Sequence, residues 1–480
     1  MWVENLGELK SSALFSLKLP IALIIHDSMA NDKAVLVDDI LVTILTLCDI
    51  QSVLTSSQTS RHFHSLAFSK HVWLAIVSDL HQRSFIDLPP GKSLEDHTTD
   101  DLVDLVKRMI LGPRSWRAQT NSNVLFPTVD HQIILESLSS NADTLHWSLN
   151  EAQLIPGGKC LVYQHSGTLE CFSIESRNRI WSYKSTWETQ LSNAHYKVGR
   201  FAVETVDDGQ GAILLIGVYD DGLAANTRVK FVRLFIAWCA GLIRLSTTLL
   251  TDSVPNTGTH IMSIEFSIQG DYAFASSGQD FALLYRLSTG TKKRIQVPAR
   301  HAINLVSGHL ILLTKKETFP PPQFVMRLWS MDALVELDDN ASIDTVSPRL
   351  TTTILVPTYD INSSITFELS ASSSPLREDL AVIWVHISLS DPSYTHIHKF
   401  YLLHSQSRPI SMWSPKMTYA GHIISPEGRL YSLSNSGKDC HLAMGAMPKP
   451  DELSSCLHLS PYSSTLTYMQ KRKVVVNYYE

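Results

Sequence analysis

The chain has 480 residues, of which 44% are hydrophobic and 18% charged, enough apolar surface to offset chain entropy, so a mainly disordered protein is excluded. Forty Lys and Arg stand against 46 Asp and Glu for a formal net charge of -6, with the basic residues spread along the chain, which gives no footing for nucleic-acid binding. The length exceeds one ordinary core and predicts a small module joined to one large body.

Residues 1–33 form an N-terminal extension that fits no element. Its apolar run Leu19–Ile25 contains Pro20, follows Glu4, Glu8, Lys10 and Lys18, and leads into His26-Asp27 in place of a small-residue cleavage site, so it is a poor signal-peptide core. Met29 is a candidate native start, because Met29-Ala30-Asn31-Asp32-Lys33 runs straight into the first clear module. The other apolar stretch, Phe231–Leu245, falls short of the ~20 residues a membrane helix needs and carries Arg233 and Arg244, so no membrane segment is expected.

Residues 34–82 read as a helical module. Ile40, Leu41, Ile44, Leu45 and Leu47 make one broad stripe at helical spacing, and Asp38 and Asp39 stand where acids complement the helix dipole. Asp49 interrupts the stripe. A second helix is predicted through Val53 and Leu54, and a third through Phe63, Leu66, Ala67 and Phe68, before Val72-Trp73. A module of this size cannot bury so much apolar surface by itself, which predicts a partner over part of it.

The order of Leu36, Asp39, Ile40, Leu41, Ile44, Leu45, Asp49, Leu54, Arg61, Phe63, Leu66 and Trp73 resembles the F-box pattern. The sequence departs at Val37, where the family normally has proline, and at Gln58-Thr59, where valine-cysteine is common. The resemblance implies a substrate-recognition subunit of an SCF-type ubiquitin ligase in the cytoplasm or nucleus. Its adaptor-binding residues would be Leu36, Val37, Ile40, Leu41, Leu45 and Leu54, packing against a Skp-type adaptor and through it a cullin. Losing the proline removes a rigid entry to the first helix but keeps an apolar contact. The other reading of the same residues is a three-helix cap on the chain's own body.

Residues 83–119 read as a linker. Pro89, Pro90 and Gly91 mark a loop, and Asp100–Leu111 returns to helical spacing until Gly112-Pro113 stops it, as a docking helix would. Gly91-Lys92-Ser93 resembles the end of a phosphate loop, but Ile86 stands where its first glycine belongs.

Residues 120–480 read as all β. An apolar strand, a tight turn, a second strand ending in an aromatic and then a third strand recur. The first instance is Cys160–Tyr163, a turn at Ser166-Gly167, Leu169–Ile174 and Ile180–Tyr183. The segment GDYAFASSGQDFALLYRLSTGT resembles a degenerate WD repeat with Tyr285 at the tryptophan position, and Phe235, Trp329, Tyr401 and Tyr431 take the equivalent place elsewhere. Their spacing is irregular, with a wide gap between Trp329 and Tyr401, but blades of ~40–45 residues with loop insertions would place six or seven in this region as a β-propeller-like domain, and Lys473–Tyr479 is expected to close the ring by pairing near the start of the domain. A β-sandwich or two smaller β domains is the alternative. The fold class is thus mostly β, with a small α N-terminal module and a linker helix.

Cys48, Cys160, Cys171, Cys239, Cys440 and Cys456 are few for the length and form no C-x-x-C pair, which fits a reduced compartment; the sequons at Asn340 and Asn362 matter only in a secreted chain. The expected hairpin register sets Cys171 opposite Val162 and diagonal to Cys160, at or past disulfide reach. No nucleophile, metal or dinucleotide motif is present. His396 and His398 share a strand face without a third ligand, and Lys292-Lys293-Arg294 reads as a hydrated hairpin end. The expectation is a non-catalytic receptor with no cofactor and no metal, whose β body binds an unidentified protein client. A non-degradative scaffold and a propeller enzyme with a helical cap are the alternatives.

Overall fold

Helix α1 spans Asp38–Thr46, α2 Ile50–Ser57, α3 Arg61–Ala67 and α4 Lys70–Gln82 in the computed structural model, which describes residues 37–88, 93–117 and, from 124 to 479, the strands named below with some of the turns between them. Local chemistry fixes the starts. The Asp49 carboxylate accepts from the Ser52 amide at 2.7 Å and caps α2, and the Ser60 hydroxyl accepts from the Phe63 amide at 3.1 Å and caps α3. Helix α4 corrects the expected three-helix module. Val72, Trp73, Ile76, Val77 and Leu80 recur at helical spacing and are all buried, but the family pattern closes at the tryptophan and hid the helix running beyond it.

Helix α5, Thr99–Leu111, forms where the connector helix was expected. A reciprocal capping box starts it: the Asp101 amide donates to the Thr98 hydroxyl at 3.2 Å and the Thr98 amide to the Asp101 carboxylate at 2.9 Å. Its Leu102, Val103, Val106 and Met109 share one core with Leu45, Val53, Trp73, Val77 and Leu80. The connector helix is therefore packed into the helical module.

The β body contains seven sheets among the described residues. The first is β3 (Ala152–Leu154), β4 (Cys160–His165), β5 (Thr168–Ser173) and β6 (Arg179–Lys184). The second is β7 (Tyr196–Val206), β8 (Gly211–Asp220), β9 (Asn226–Ala237) and β10 (Leu242–Pro255), so the described parts of the apolar stretch, 231–237 and 242–245, lie on two antiparallel strands. The third is β11 (Glu265–Gln269), β12 (Tyr272–Ser276), β13 (Phe281–Arg286) and β14 (Thr291–Gln296). The fourth is β15 (His301–Val306), β16 (His309–Lys316), β17 (Gln323–Ser330) and β18 (Leu350–Leu355). The fifth is β19 (Ile365–Ser373), β20 (Ala381–Leu389), β21 (Thr395–Tyr401) and β22 (His404–Ser405).

The last two sheets mix the two ends of the domain. In the sixth, β23 (Lys416–Met417), β24 (His422–Ile424), β25 (Arg429–Ser436) and β26 (Asp439–Ala446) gain β1 (Val124–Leu125) as a parallel edge. In the seventh, β27 (His458–Leu459), β28 (Leu466–Gln470) and β29 (Lys473–Tyr479) are completed by β2 (Val129–Glu136), which runs antiparallel to β29 from Val129–Tyr479 to Glu136–Lys473. The expected closing strand does pair near the start of the domain, and its pairing removes two open edges.

Neighbouring sheets meet in sequence order. Strand β5 lies against β7, β7 against β11, β11 against β15 and β15 against β19, while β27 touches both β23 and β3. The fifth and sixth sheets meet where the Ser374 hydroxyl lies 3.1 Å from that of Tyr419. This is a propeller-like arrangement in which each sheet cannot bury both faces alone and does so against its neighbours.

The repeated aromatics fall at one place in this plan. Tyr285 and Trp329, each 1% exposed, lie on the third strands of their sheets, and Phe235, Tyr401 and Tyr431 stand on the third strands β9, β21 and β25, their side chains outside the described residues. The sequence repeat has three strands where the sheets have four. The first strand of the third sheet, Glu265–Gln269, is short and mixed and carries no continuous apolar run. The wide gap after Trp329 holds helix α6, Met331–Val335, and a turn at Ile343–Thr345, inserted before β18.

In the first sheet Val162 pairs with Cys171 and Cys160 with Ser173, the register the hairpin predicts, although the turn at Ser166-Gly167 lies outside the described residues. Both thiols are free and buried, and a hydrogen bond with Cys160 together with burial pushes the Cys171 thiol well up. Iodoacetamide is expected to leave Cys160 and Cys171 unlabelled in the folded chain and to modify both in denaturant, as read by peptide mass spectrometry.

Candidate functional site

Helix α1 points two ways. Leu45, 4% exposed, faces the core against α4, while Val37, Ile40, Ile44 and Leu47 are 60%, 48%, 39% and 84% exposed. Those four are separated by steps of three and four residues, so they line one side of the helix over ~15 Å. At its N-terminal end the stripe is flanked by acids: Asp38 and Asp39 occupy the first turn, and the Asp38 carboxylate pairs with the His62 imidazole of α3 at 3.1 Å.

The six expected adaptor-binding residues are placed differently from one another. Leu36 lies outside the described residues, Val37 and Ile40 are exposed, and Leu41 is half-buried. Leu54 is half-buried against the module's core and Leu45 belongs to that core. Ile44 and Leu47, part of the stripe in sequence but left out of the adaptor-binding set, are the outward neighbours of Ile40. Their spacing was the signal.

Beneath this module a joint ties it to the β body. Asp87 is buried, and its carboxylate accepts from the Gly157 amide at 2.7 Å, from the Ser460 hydroxyl at 3.0 Å and from the Ser463 hydroxyl. Burial raises the Asp87 carboxyl above the usual range, and the three donors oppose it. Phe85 meets Tyr462 edge-on at 4.7 Å, and the Tyr462 hydroxyl donates to the Ser373 carbonyl at 3.0 Å. The Gln269 amide donates to the Ser373 hydroxyl at 2.9 Å, so one serine gathers the third, fifth and seventh sheets. Near this network burial pushes the Glu204 carboxyl up to about 8, opposed by the Gly270 main chain.

The second half of the joint follows α5. Trp116 is fully buried with its ring 4.9 Å from Tyr479 and 5.5 Å from His422. Arg117 folds back and donates through Nη2 to the Gly112 carbonyl at 2.7 Å, which caps the C-terminus of α5. Gly112 has φ +75° and lies directly against the His422 ring. Burial, and then the Arg117 charge, push the His422 imidazole down to about 3, so it is neutral. The helical module thus stands on the end of the ring formed by the turns at 155–159, 374–376, 418–421 and 460–465.

No group of three or more His, Cys, Asp or Glu able to hold a metal occurs among the described residues. His396 and His398 alternate on β21, opposite Ile387 and Val385, with side chains outside the described residues. Lys292, Lys293 and Arg294 stand on β14, where the Arg294 guanidinium lies 4.2 Å above the Phe281 ring. Gly91 and Lys92 are outside the described residues. No helix among the described residues is long and apolar enough to cross a membrane.

No family model matches the chain, and no curated protein matches it. Among solved structures it is similar to the WD40 domain of SCAP from fission yeast, at 12% identity and a TM-score of 0.40, over 69% of this chain and 85% of that one. It is similar to apo AztD from Citrobacter koseri at 9% identity and a TM-score of 0.36, over 65% and 75%. The computationally designed Ika8 protein is similar at 8% identity and a TM-score of 0.32, over 67% and 93%. The propeller-like arrangement stands on the sheet order and the contacts between sheets given above.

Proposed function

We propose that this chain is a substrate-recognition subunit of an SCF-type ubiquitin ligase: the helical module docks on a Skp-type adaptor, and the seven sheets, read as seven blades, hold a protein client. The observation that carries the reading is the stripe on α1. Four of the eight large apolar side chains left exposed among the described residues lie on that one line. Scattered exposed apolar residues need no explanation, but a continuous row on one short helix has the form of a helix that docks in a partner's groove. Val37, Ile40 and Leu41 of the expected set, with Ile44 and Leu47, are the contact residues; Leu45 and Leu54 position the helix from beneath. Full burial of such side chains contributes about 1.5–3 kcal/mol each. With roughly half of each already covered, the four together supply about 4 kcal/mol, a marginal affinity that other module contacts must complete.

A receptor of this kind needs no catalytic side chain, since it raises the concentration of a client beside the transferring subunit. The helical module occupies one end of the ring, which leaves the opposite end, where successive sheets connect, for the client.

Ile40→Asp in the full chain is expected to weaken capture by a Skp-type adaptor at least 30-fold in a titration while leaving the thermal midpoint within 2 °C or so, because Ile40 is half-exposed. Unchanged capture would remove the stripe from the function. Ubiquitin transfer to a bound client in a reconstituted ligase separates a receptor from a non-degradative scaffold, which would bind the adaptor without transfer.

A further inference from the structure

Beside the helical module, the end of the ring holds two oxygen acceptors that the joint leaves unused. We infer that Glu204 and Gln269 form a binding site for a primary ammonium group, carried by a small amine or by a lysine side chain; the site goes beyond the adaptor reading and needs no adaptor. Glu204 stands near the end of β7, and its carboxyl accepts from the Gly270 amide in the turn between β11 and β12. No cation pairs with it among the described residues. Gln269 precedes that glycine and donates through Nε2 to the Ser373 hydroxyl at 2.9 Å, while its Oε1 is buried and meets no donor among the described residues. Tyr462 borders both, since its hydroxyl donates to the Ser373 carbonyl at 3.0 Å and its titration responds to the Glu204 charge. The nearest hydroxyls are engaged with each other, Ser307 with Ser373 at 3.2 Å. Two acceptors remain, one able to carry a full charge, and a buried acceptor without a donor is costly unless a ligand supplies one.

The pair is reachable from outside. Glu204, Gln269, Ser373 and Tyr462 are all half-buried, and Gly270 is exposed with nothing within 4 Å of where a Cβ would stand. The module rests on turns of the first, fifth, sixth and seventh sheets, so the turn at 270–271 of the third sheet lies beside it and open. An ammonium places three N–H donors and a positive charge on one atom, which suits one carboxylate and one amide oxygen. A metal ion of the oxygen-seeking kind would need about six oxygens, and no metal-holding group of acids, histidines or cysteines occurs among the described residues.

Binding is coupled to a proton. Burial holds the Glu204 carboxyl at about 8, so at pH 7 about nine-tenths of the chains carry it neutral. A cation beside it favours the carboxylate, and the carboxyl proton passes to solvent as the ion pair forms. Tyr462 is the titratable group that feels this charge among the described residues, and burial followed by the Glu204 charge pushes its hydroxyl far up, so it keeps its proton throughout.

The test titrates the full 480-residue chain with n-butylammonium chloride in a calorimeter, at constant ionic strength and in two buffers of different protonation heat. At pH 7 about 0.9 proton is expected to leave per ligand bound, and at pH 9 about 0.1, with affinity about ten-fold tighter at pH 9, where an amine of ordinary pKa near 10.4 still holds its charge. Glu204→Gln keeps the shape of the neutral acid, so it is expected to fold with an unchanged thermal midpoint, to release no proton and to bind at least ten-fold more weakly at pH 9. Nα-acetyl-lysine methylamide carries the same group: equal affinity shows that the ammonium alone is read, and tighter binding assigns the site to a polypeptide. Absence of binding heat from pH 7 to 9 overturns the inference, as does equal binding by the Glu204→Gln chain. Tetramethylammonium or potassium binding as tightly as butylammonium also overturns it, because neither offers an N–H to Gln269.

Discussion

Gly112→Ala is expected to destabilise the folded chain by about 3–5 kcal/mol, read as a drop in the urea midpoint and as loss of hydrogen-exchange protection in α5 and the sixth sheet. Two effects add. At φ +75° any L side chain is strained, at about 1–3 kcal/mol. A Cβ there would also collide with Cε1 and Nδ1 of the His422 ring. The ring cannot retreat, since Trp116 lies against it and the Thr418 hydroxyl sits 3.5 Å from Nδ1, and forced overpacking of a filled site costs about 1–3 kcal/mol more. The double variant Gly112→Ala with His422→Ala should recover the collision and keep the strain. A double-mutant cycle in which the two changes simply add would show that the ring and the glycine do not meet.

The second large effect is acid loosening of the same joint. His422 titrates at about 3 in the folded chain and near 6.5 when unfolded. Between those values the unfolded chain takes up a proton that the folded chain refuses, so stability is full above about pH 6.5 and falls as the pH is lowered towards 3. Two pH units into that window the loss is about 2.5 kcal/mol, and across the whole window it is on the order of 4 kcal/mol. Asp87 acts in the opposite sense. Its raised carboxyl keeps a proton that the unfolded chain has lost, so its contribution weakens as the pH rises from the ordinary aspartate value. His422→Gln isolates the imidazole: the dependence of the urea midpoint between pH 6.5 and 4.5 should flatten in the variant. A slope equal to that of the unchanged chain would show that the acid response arises elsewhere.

What the sequence disclosed followed from local spacing. The helices at 38–46 and 99–111, the hairpin register at Cys160 and Cys171, and the returning strand at the C-terminus all depend on periods of two or 3.6 read over a few residues. The first strand of the third sheet was harder to see, because Glu265, Ser267 and Gln269 alternate with Phe266 and Ile268, break the apolar pattern and bond to Ile303, Asn304 and Ser373 of the fourth and fifth sheets. Helix α4 was hidden by a family pattern that ends at Trp73. The joint could not be read at all. Asp87 finds Ser460 across 373 positions of chain, and neither residue type signals the other.

For the candidate site the lesson is sharper. The stripe was visible as a helical period, but which of its members face outward depends on where α4 lies, so Leu45 and Ile44, adjacent in sequence, end in opposite environments. A list of contact residues needs the partner helix as well as the period.

The pairing of β2 with β29 has a bearing on how the protein is made. Val129 meets Tyr479 only after 350 more residues have been added, roughly 20–70 s of synthesis at ordinary elongation speeds. For most of that interval the five N-terminal helices have been made, while Ser460, Tyr462 and Tyr479, the late partners of Asp87, Phe85 and Trp116, have not. The helical module is therefore made long before the strand that latches the ring, and the ring can close only when the chain is almost complete.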